Sequence, residues 1–216
     1  MYRIVDESEW SPYQKDCAEI LRGLCSMLKT DKGIIAQFTL VGSGARNMVT
    51  RNGDGPFDLD YNLEIIRAPE MYWKDLRKLK DTVRIYLDKA SGSKCFSESQ
   101  NSTVALTAIL HFTDEPQVEF SFDVAIVKRN TKGTLCRLVN NKLYAFQGQY
   151  FWNEIRNSED VKGKSDCIKE IGKWQEVRQR YVDLKNQYLF SPHDRSHKSF
   201  IVYIEAVNEI YYKYFN

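Results

Sequence analysis

LVGSGARNMVTRNGDGPFDLDYNL, residues 40–63, decides how this chain is read. An apolar run ends in Gly42-Ser43, a glycine-rich polar loop follows, and a second apolar stretch then carries Asp58 and Asp60 with one leucine between them. In FDLDYNLEI, Phe57, Leu59, Tyr61, Leu63 and Ile65 alternate with Asp58, Asp60, Asn62 and Glu64. That is the period-2 pattern of a strand with one buried face. Asp58 and Asp60 therefore project from the same side, about 6.6 Å apart at the usual rise of a strand. Two carboxylates that close repel each other unless a cation or a proton lies between them.

Further along, VEFSFDVAIV (residues 118–127) alternates in the same way, with Phe120, Phe122, Val124 and Ile126 on one face and Glu119, Ser121 and Asp123 on the other. If this strand lies beside the first, Asp123 joins the pair. Three converging carboxylates without a histidine or thiolate make a hard-oxygen site suited to Mg²⁺. Two such ions can hold the attacking and leaving oxygens of a phosphoryl displacement. Backbone amides at the Gly42-Ser43 turn can approach phosphate oxygens with no Cβ in the way. Each piece alone also reads blandly: Asp-x-Asp as a solvated strand face, Gly-Ser as a simple turn, and Glu64 or Glu119 as equally good carboxylates. The order of the pieces favours the site.

That order resembles the DNA-polymerase-β-like nucleotidyltransferase superfamily, through Val41-Gly42-Ser43, Asp58-Leu59-Asp60 and Asp123. The resemblance covers about residues 34–127, and the helical C-terminal segment is similar to the branch of poly(A) polymerases and of oligoadenylate and cyclic-dinucleotide synthases. It implies an α+β nucleotidyltransferase fold, with a mixed, mostly antiparallel sheet flanked by helices. It further implies that Asp58, Asp60 and Asp123 ligate Mg²⁺ (or Mn²⁺), that Asp123 helps deprotonate an acceptor hydroxyl, and that Gly42 and Ser43 hold the β- and γ-phosphates. The implied reaction moves a nucleoside monophosphate from a nucleoside triphosphate to that hydroxyl and releases pyrophosphate. Two departures stand out. The spacer between Ser43 and Asp58 is 14 residues, and Asn47-Met48 stands where many relatives carry a second Gly-Thr or Gly-Ser. The chain is also shorter than most two-domain synthases, which leaves the acceptor-binding half reduced or supplied by a partner.

At 216 residues, 43% hydrophobic and 28% charged, the composition is that of a globular protein with one core. A formal charge of +2 gives no basic stripe for long nucleic acid, so a nucleotide or small molecule is the preferred acceptor. No apolar run is long enough for a membrane span. Asp6, Glu7 and Glu9 do not fit a secretory leader, and the five dispersed cysteines fit neither a disulfide framework nor a zinc site. A cytoplasmic protein is expected. Its oligomeric state is not legible.

Residues 1–150 are expected to form the catalytic core and 151–216 a helical segment packed on it. Within the core, a helix over 11–29 starts at Ser11-Pro12 with Gln14 completing a capping box, and strands span 34–41 and 57–66. A second helix runs from Pro69 to Ala90. Strands over 103–112 and 118–127 form a hairpin through Thr113–Pro116, and strands over 135–139 and 143–146 flank an Asn140-Asn141 turn. Helices near 174–188 and 195–214 complete the chain. His111 reads as structural, and His193 and His197 as solvated residues at a helix start. Arg46 can reach a triphosphate. Lys128 and Arg129 read as solvated cations, and the aromatic last helix as core or a dimer face. Two rivals remain. A catalytically silent nucleotide- or protein-binding module on this fold would have lost a carboxylate, and an unrelated phosphohydrolase would carry histidine ligands.

Overall fold

The computed structural model describes residues 1–111, 118–141, 149–155, 159–190 and 199–215. In chain order these form β1 (Tyr2–Ile4), α1 (Glu7–Lys32), β2 (Ile35–Val41), β3 (Thr50–Asn52), β4 (Phe57–Arg67), α2 (Glu70–Lys74), α3 (Leu76–Ser91) and β5 (Gln100–Asn101). Then follow β6 (Leu106–His111), β7 (Val118–Arg129), β8 (Leu135–Asn141), β9 (Gln149–Glu154), α4 (Glu159–Glu170), α5 (Trp174–Leu189) and α6 (Ser199–Phe215). They fall into two units. One comprises Asp6–Val49 and Gly55–Ile155, the other Met1–Val5, Thr50–Asp54 and Arg156–Asn216.

In the larger unit, α1 begins at Glu7 rather than near Ser11. Asp6 and Glu9 form a capping box, in which the Asp6 N–H donates to Glu9 Oε1 at 3.4 Å and the Asp6 side chain faces the Glu9 N–H, and that N–H also closes on the Asp6 carbonyl at 2.9 Å. Pro12 thus lies inside the helix, past its first turn, where it cannot give the Ser8 carbonyl the usual i→i−4 bond. Cys17, Ile20, Leu21, Leu24 and Leu28 line its buried stripe. Gly33 ends it at φ 67°, its N–H and that of Ile34 closing on the last turn.

The helix expected from Pro69 to Ala90 is two helices. Asp75 breaks it with extended dihedrals, and its carboxylate caps α3 by accepting from the Lys78 N–H at 2.9 Å. Asp75→Ala is expected to cost about 1 kcal/mol, a fall of roughly 2–4 °C in melting temperature by calorimetry.

The unit's sheet has seven strands among the described residues. They run in the order β2-β4-β7-β6-β5, and β8 pairs with β7 and β9. The β4–β7 pair is parallel and every other pair antiparallel. β4 alternates as its sequence predicts: Phe57, Leu59, Tyr61, Leu63 and Ile65 are buried. At one end of this apolar face the Tyr13 ring from α1 packs on Phe57 and Phe120 with centroids 5.3 and 4.7 Å away, and Phe96 lies edge-on to Phe122. β6 and β7 pair as the expected hairpin, although the Thr113–Pro116 turn lies outside the described residues. Ser102 Oγ accepts from the Ala105 N–H at 3.0 Å, and this local turn delays β6 to Leu106.

Asn140 and Asn141 are strand, not turn: they pair with Tyr150 and Gln149 of β9. Asn140 is buried, with its N–H on the Thr103 carbonyl at 2.8 Å and its amide on the Tyr150 hydroxyl at 3.2 Å. These bonds replace what a turn asparagine would supply itself. The strand expected over 143–146 lies outside the described residues.

In the smaller unit β1 and β3 form an antiparallel pair. Asn186 of α5 clamps β1, accepting from the Tyr2 N–H at 2.6 Å and donating to the Tyr2 carbonyl at 3.0 Å. The expected α5 is present, and α4, which the sequence reading did not anticipate, precedes it. Ile168, Val177, Leu184, Ala206 and Val207 are buried among these helices. Tyr203 of α6 is core, whereas Tyr212, Tyr214 and Phe215 are exposed. Glu176 accepts from Lys213, Tyr214 and Lys173, which hold its carboxyl down to about 2. His193 and His197 lie outside the described residues, and His111 is exposed at the end of β6.

Candidate active site

The parallel β4–β7 pairing puts Asp60 directly beside Asp123 and Asp58 beside Ser121. Partners across a ladder share a face, so the three aspartates stand on one side of the sheet, opposite the aromatic core. Asp58 is exposed; Asp60 and Asp123 are half-buried. On the far side of Asp123, Thr107 of β6 is its ladder partner and donates its hydroxyl to Asp123 Oδ1 at 2.5 Å.

On the near side, Val41 at the end of β2 pairs with Asp60, so the chain turns at Gly42 beside that carboxylate. Gly42 has φ 64°, and a Cβ there would stand 2.2 Å from Asp60 Oδ2. Glycine is required on both counts: the left-handed backbone, and a carboxylate where a side chain would begin. Arg46 donates back to the Gly42 carbonyl at 2.8 Å and fixes the turn. Ser43 precedes a single 3₁₀ turn over Gly44–Arg46, and its carbonyl accepts from the N–H groups of Arg46 and Met48. The Gly42-Ser43 turn thus lies beside Asp60, at the end of β4 where the three aspartates share a face.

Burial and the like charges of Asp58 and Asp123 push the Asp60 carboxyl up to about 6, against the opposing pull of Arg137 and Arg46. The chemistry of this donor set suits a hard divalent cation, since a cation would relieve the repulsion that raises Asp60. Among the described residues, however, no three His, Cys, Asp or Glu side chains are gathered to hold an ion as they stand. One Asp123 oxygen is engaged by Thr107, and the Asp60 carboxylate lies against Gly42.

The other carboxylates considered are committed elsewhere. Glu64 accepts from Arg129 at 3.0 Å and from Gln37 at 3.1 Å, and Glu119 accepts from the Tyr13 hydroxyl. Lys128 points from the opposite face, its ammonium 5.3 and 4.9 Å from the ring centroids of Trp73 and Trp152, so it is not the solvated cation expected.

Solved structures share this architecture. The chain superposes on the Bradyrhizobium diazoefficiens CD-NTase CdnG in complex with GTP at a TM-score of 0.61, with 14% identity over 94% of this chain. It matches Escherichia coli MS115-1 CdnC with ATP at 0.57, with 16% identity over 95% of this chain. The Vibrio cholerae cyclic AMP-GMP synthase DncV, solved with the linear intermediate 5′ pppA(3′,5′)pG, matches at 0.54, with 11% identity over 82%. The chain has the nucleotidyltransferase fold. It spans 66%, 60% and 47% of the lengths of those three proteins. No family model matches the chain, and neither does the sequence of any curated protein. No helix among the described residues is long and apolar enough to cross a membrane.

Within this nucleotidyltransferase fold, two residues on the aspartate face escaped the sequence reading, and a third, Asn62, was placed there without a role. Thr107 holds Asp123, and Asn62 and Arg137 stand on the same face beyond the aspartates, through their pairings with Ala125 and Val127. For Asn62 the signal was present in the alternation of β4. For Thr107 and Arg137 only strand register reveals the neighbour, and register is not written in either strand alone.

Proposed function

We propose that the chain is a divalent-metal-dependent nucleotidyltransferase that moves a nucleoside monophosphate from a nucleoside triphosphate to a hydroxyl acceptor and releases pyrophosphate. The observation that carries this reading is the pairing of Asp60 with Asp123 immediately beside the Gly42 turn. Asp58, Asp60 and Asp123 would hold Mg²⁺ or Mn²⁺, which when bound supplies charge neutralisation to the triphosphate and its leaving group. The Gly42-Ser43 backbone would hold the β- and γ-phosphates, with Arg46 bracing the turn. Asp123, oriented by Thr107, would take the proton of the acceptor hydroxyl. The catalytic core would be the larger unit, which ends at Ile155, and the helices of the smaller unit would be the helical segment. The five cysteines are free thiols, which suits a reducing, cytoplasmic setting.

Asp123→Asn keeps the size of the side chain and removes its charge. A thermal-shift panel of ATP, GTP, CTP and UTP, with and without Mg²⁺, is expected to raise the melting temperature of wild type only when Mg²⁺ and a preferred triphosphate are both present. A ligand at a hundred times its Kd contributes about 2.7 kcal/mol, or several degrees. In Asp123→Asn that Mg²⁺-dependent rise disappears. A rise that survives the substitution would remove Asp123 from the site.

The ungathered carboxylates favour one alternative, a catalytically silent nucleotide-binding module on the same fold. It predicts a triphosphate response that is indifferent to Mg²⁺ and to Asp123.

A further inference from the structure

Four neighbouring strands each put one residue at the same level. Val41 of β2 pairs with Asp60 of β4, Asp60 with Asp123 of β7, and Asp123 with Thr107 of β6. Ladder partners share a face, and adjacent strands lie about 4.8 Å apart. These side chains therefore form a row across the sheet that starts beside the Gly42 turn and reaches a hydroxyl. Thr107 is half-buried and donates that hydroxyl to Asp123 Oδ1 at 2.5 Å. Its partner on the far side, Gln100 of β5, is exposed, so the row ends at solvent.

A side-chain hydroxyl bonded to a base is the arrangement of an activated nucleophile. Asp123 is the base that would take the proton of an acceptor, and Thr107 already offers it one. A diffusing acceptor would have to displace that bond and surrender its own freedom of motion. Thr107, β-branched and fixed in a strand, has little left to lose. The order of the row also suits the reaction. The Gly42 turn lies on the Asp60 side and Thr107 on the Asp123 side. In an in-line displacement the leaving pyrophosphate and the attacking oxygen occupy opposite sides of the reacting phosphorus. With the donor's phosphate tail at the Gly42 turn, the attacking oxygen comes from the side of Thr107. The other strand hydroxyls nearby lack this placement. Ser121 is level with Asp58 and Thr39 with Asn62, and neither donates to a carboxylate among the described residues.

Resting on the function proposed above, we propose that Thr107 is a nucleotidylation site, to which the chain transfers a nucleoside monophosphate from a nucleoside triphosphate. Thr107 Oγ1 bonds to the α-phosphorus. The bond from that phosphorus to the oxygen bridging the β-phosphate breaks, and pyrophosphate leaves with the electron pair. The hydroxyl proton passes to Asp123 and from there to solvent. The product is a phosphodiester of the threonine side chain.

Peptide mapping by mass spectrometry tests this on the full chain, first as purified with nothing added, then after incubation with Mg²⁺ and each of ATP, GTP, CTP and UTP. The peptide containing Thr107 is expected to carry one nucleoside monophosphate in a fraction of the purified protein and in a larger fraction after incubation. The mark should survive hydroxylamine, which would cleave an adduct on an aspartate. Thr107→Val, which keeps the β-branched shape, should lose the mark and keep the Mg²⁺-dependent rise in melting temperature with a triphosphate. Thr107→Ser, which keeps the hydroxyl, should take the mark. The proposal is overturned by any of three results: no mark on Thr107 in either sample, a mark on Ser121 or an aspartate instead, or undiminished marking of Thr107→Val. A wild type that shows the Mg²⁺-dependent rise without a mark loses this proposal alone, whereas one that shows neither loses the proposed function as well.

Discussion

Replacing Asp60 with asparagine is expected to raise the melting temperature of the metal-free protein at pH 7–8 while abolishing its Mg²⁺-dependent response to nucleoside triphosphates. The Asp60 carboxyl titrates near 6 in the folded chain, against a reference value of 3.8. The folded state therefore holds the proton more tightly than the unfolded one. Below about pH 4 the group is protonated in both states and costs nothing. Between about 4 and 6 the unfolded chain ionises first and stability falls, and above 6 the full cost is present. Each unit is worth 1.36 kcal/mol, and allowing for coupling among three carboxylates, asparagine should recover about 1–3 kcal/mol. For a chain of this length that is a rise of roughly 3–10 °C. At pH 4 the variant and wild type should melt together. Mg²⁺ should stabilise wild type at pH 7.5, because it supplies the charge the aspartates lack, and should have no effect on the variant. Equal melting temperatures for the two proteins in metal-free buffer across pH 4–8 would remove the raised Asp60 carboxyl, and the burial and like charges behind it, from the account.

Gly42→Ala carries the second large effect, and it acts through two separable causes. An L-residue at φ 64° costs about 1–2 kcal/mol, and the new methyl carbon would start 2.2 Å from Asp60 Oδ2, which must move. Together these should destabilise the chain by about 2–4 kcal/mol, or roughly 5–12 °C. The displaced carboxylate should also weaken Mg²⁺-triphosphate binding by tenfold or more. A double-mutant cycle separates the causes. In an Asp60→Ala background the carboxylate is gone and only the Cβ of residue 60, 3.1 Å away, stays close, so Gly42→Ala should cost little beyond the backbone part. Purely additive losses would show that Gly42 and Asp60 do not meet.

The alternation of β4 and β7 was legible residue by residue because each strand buries one face against aromatic and aliphatic neighbours, and the aspartates were assigned to the opposite face on that ground alone. What could not be read was the pairing. Nothing in FDLDYNLEI says that its neighbour is VEFSFDVAIV in parallel register, with Asp60 level with Asp123. Local competition explains the other differences. Ser11-Pro12 made a credible helix start, but the Asp6–Glu9 box upstream captured it. The apolar period ran unbroken from Trp73 to Ala90, yet Asp75 capped a new helix in its midst. Asn140 looked like a turn residue until the Thr103 carbonyl and the Tyr150 hydroxyl gave it partners. Arg137 could not be read as a neighbour of the aspartate face because it lies on a strand whose own sequence carries no chemical signature.

The parallel β4–β7 ladder has a consequence for how the chain acquires chemistry as it folds. β6 and β7 are consecutive and can zip as a hairpin on the microsecond scale, whereas joining β7 to β4 closes a loop of about sixty residues. That closure is an entropic toll levied before any contact rewards it. A nascent or half-folded chain can therefore own its helices and its hairpin and still lack the neighbouring aspartates. Competence arrives only with the last long-range zipper. Amide exchange should accordingly find the β4–β7 rungs opening only with the cooperative unit that contains them, so that no partly unfolded form of the protein keeps a working centre.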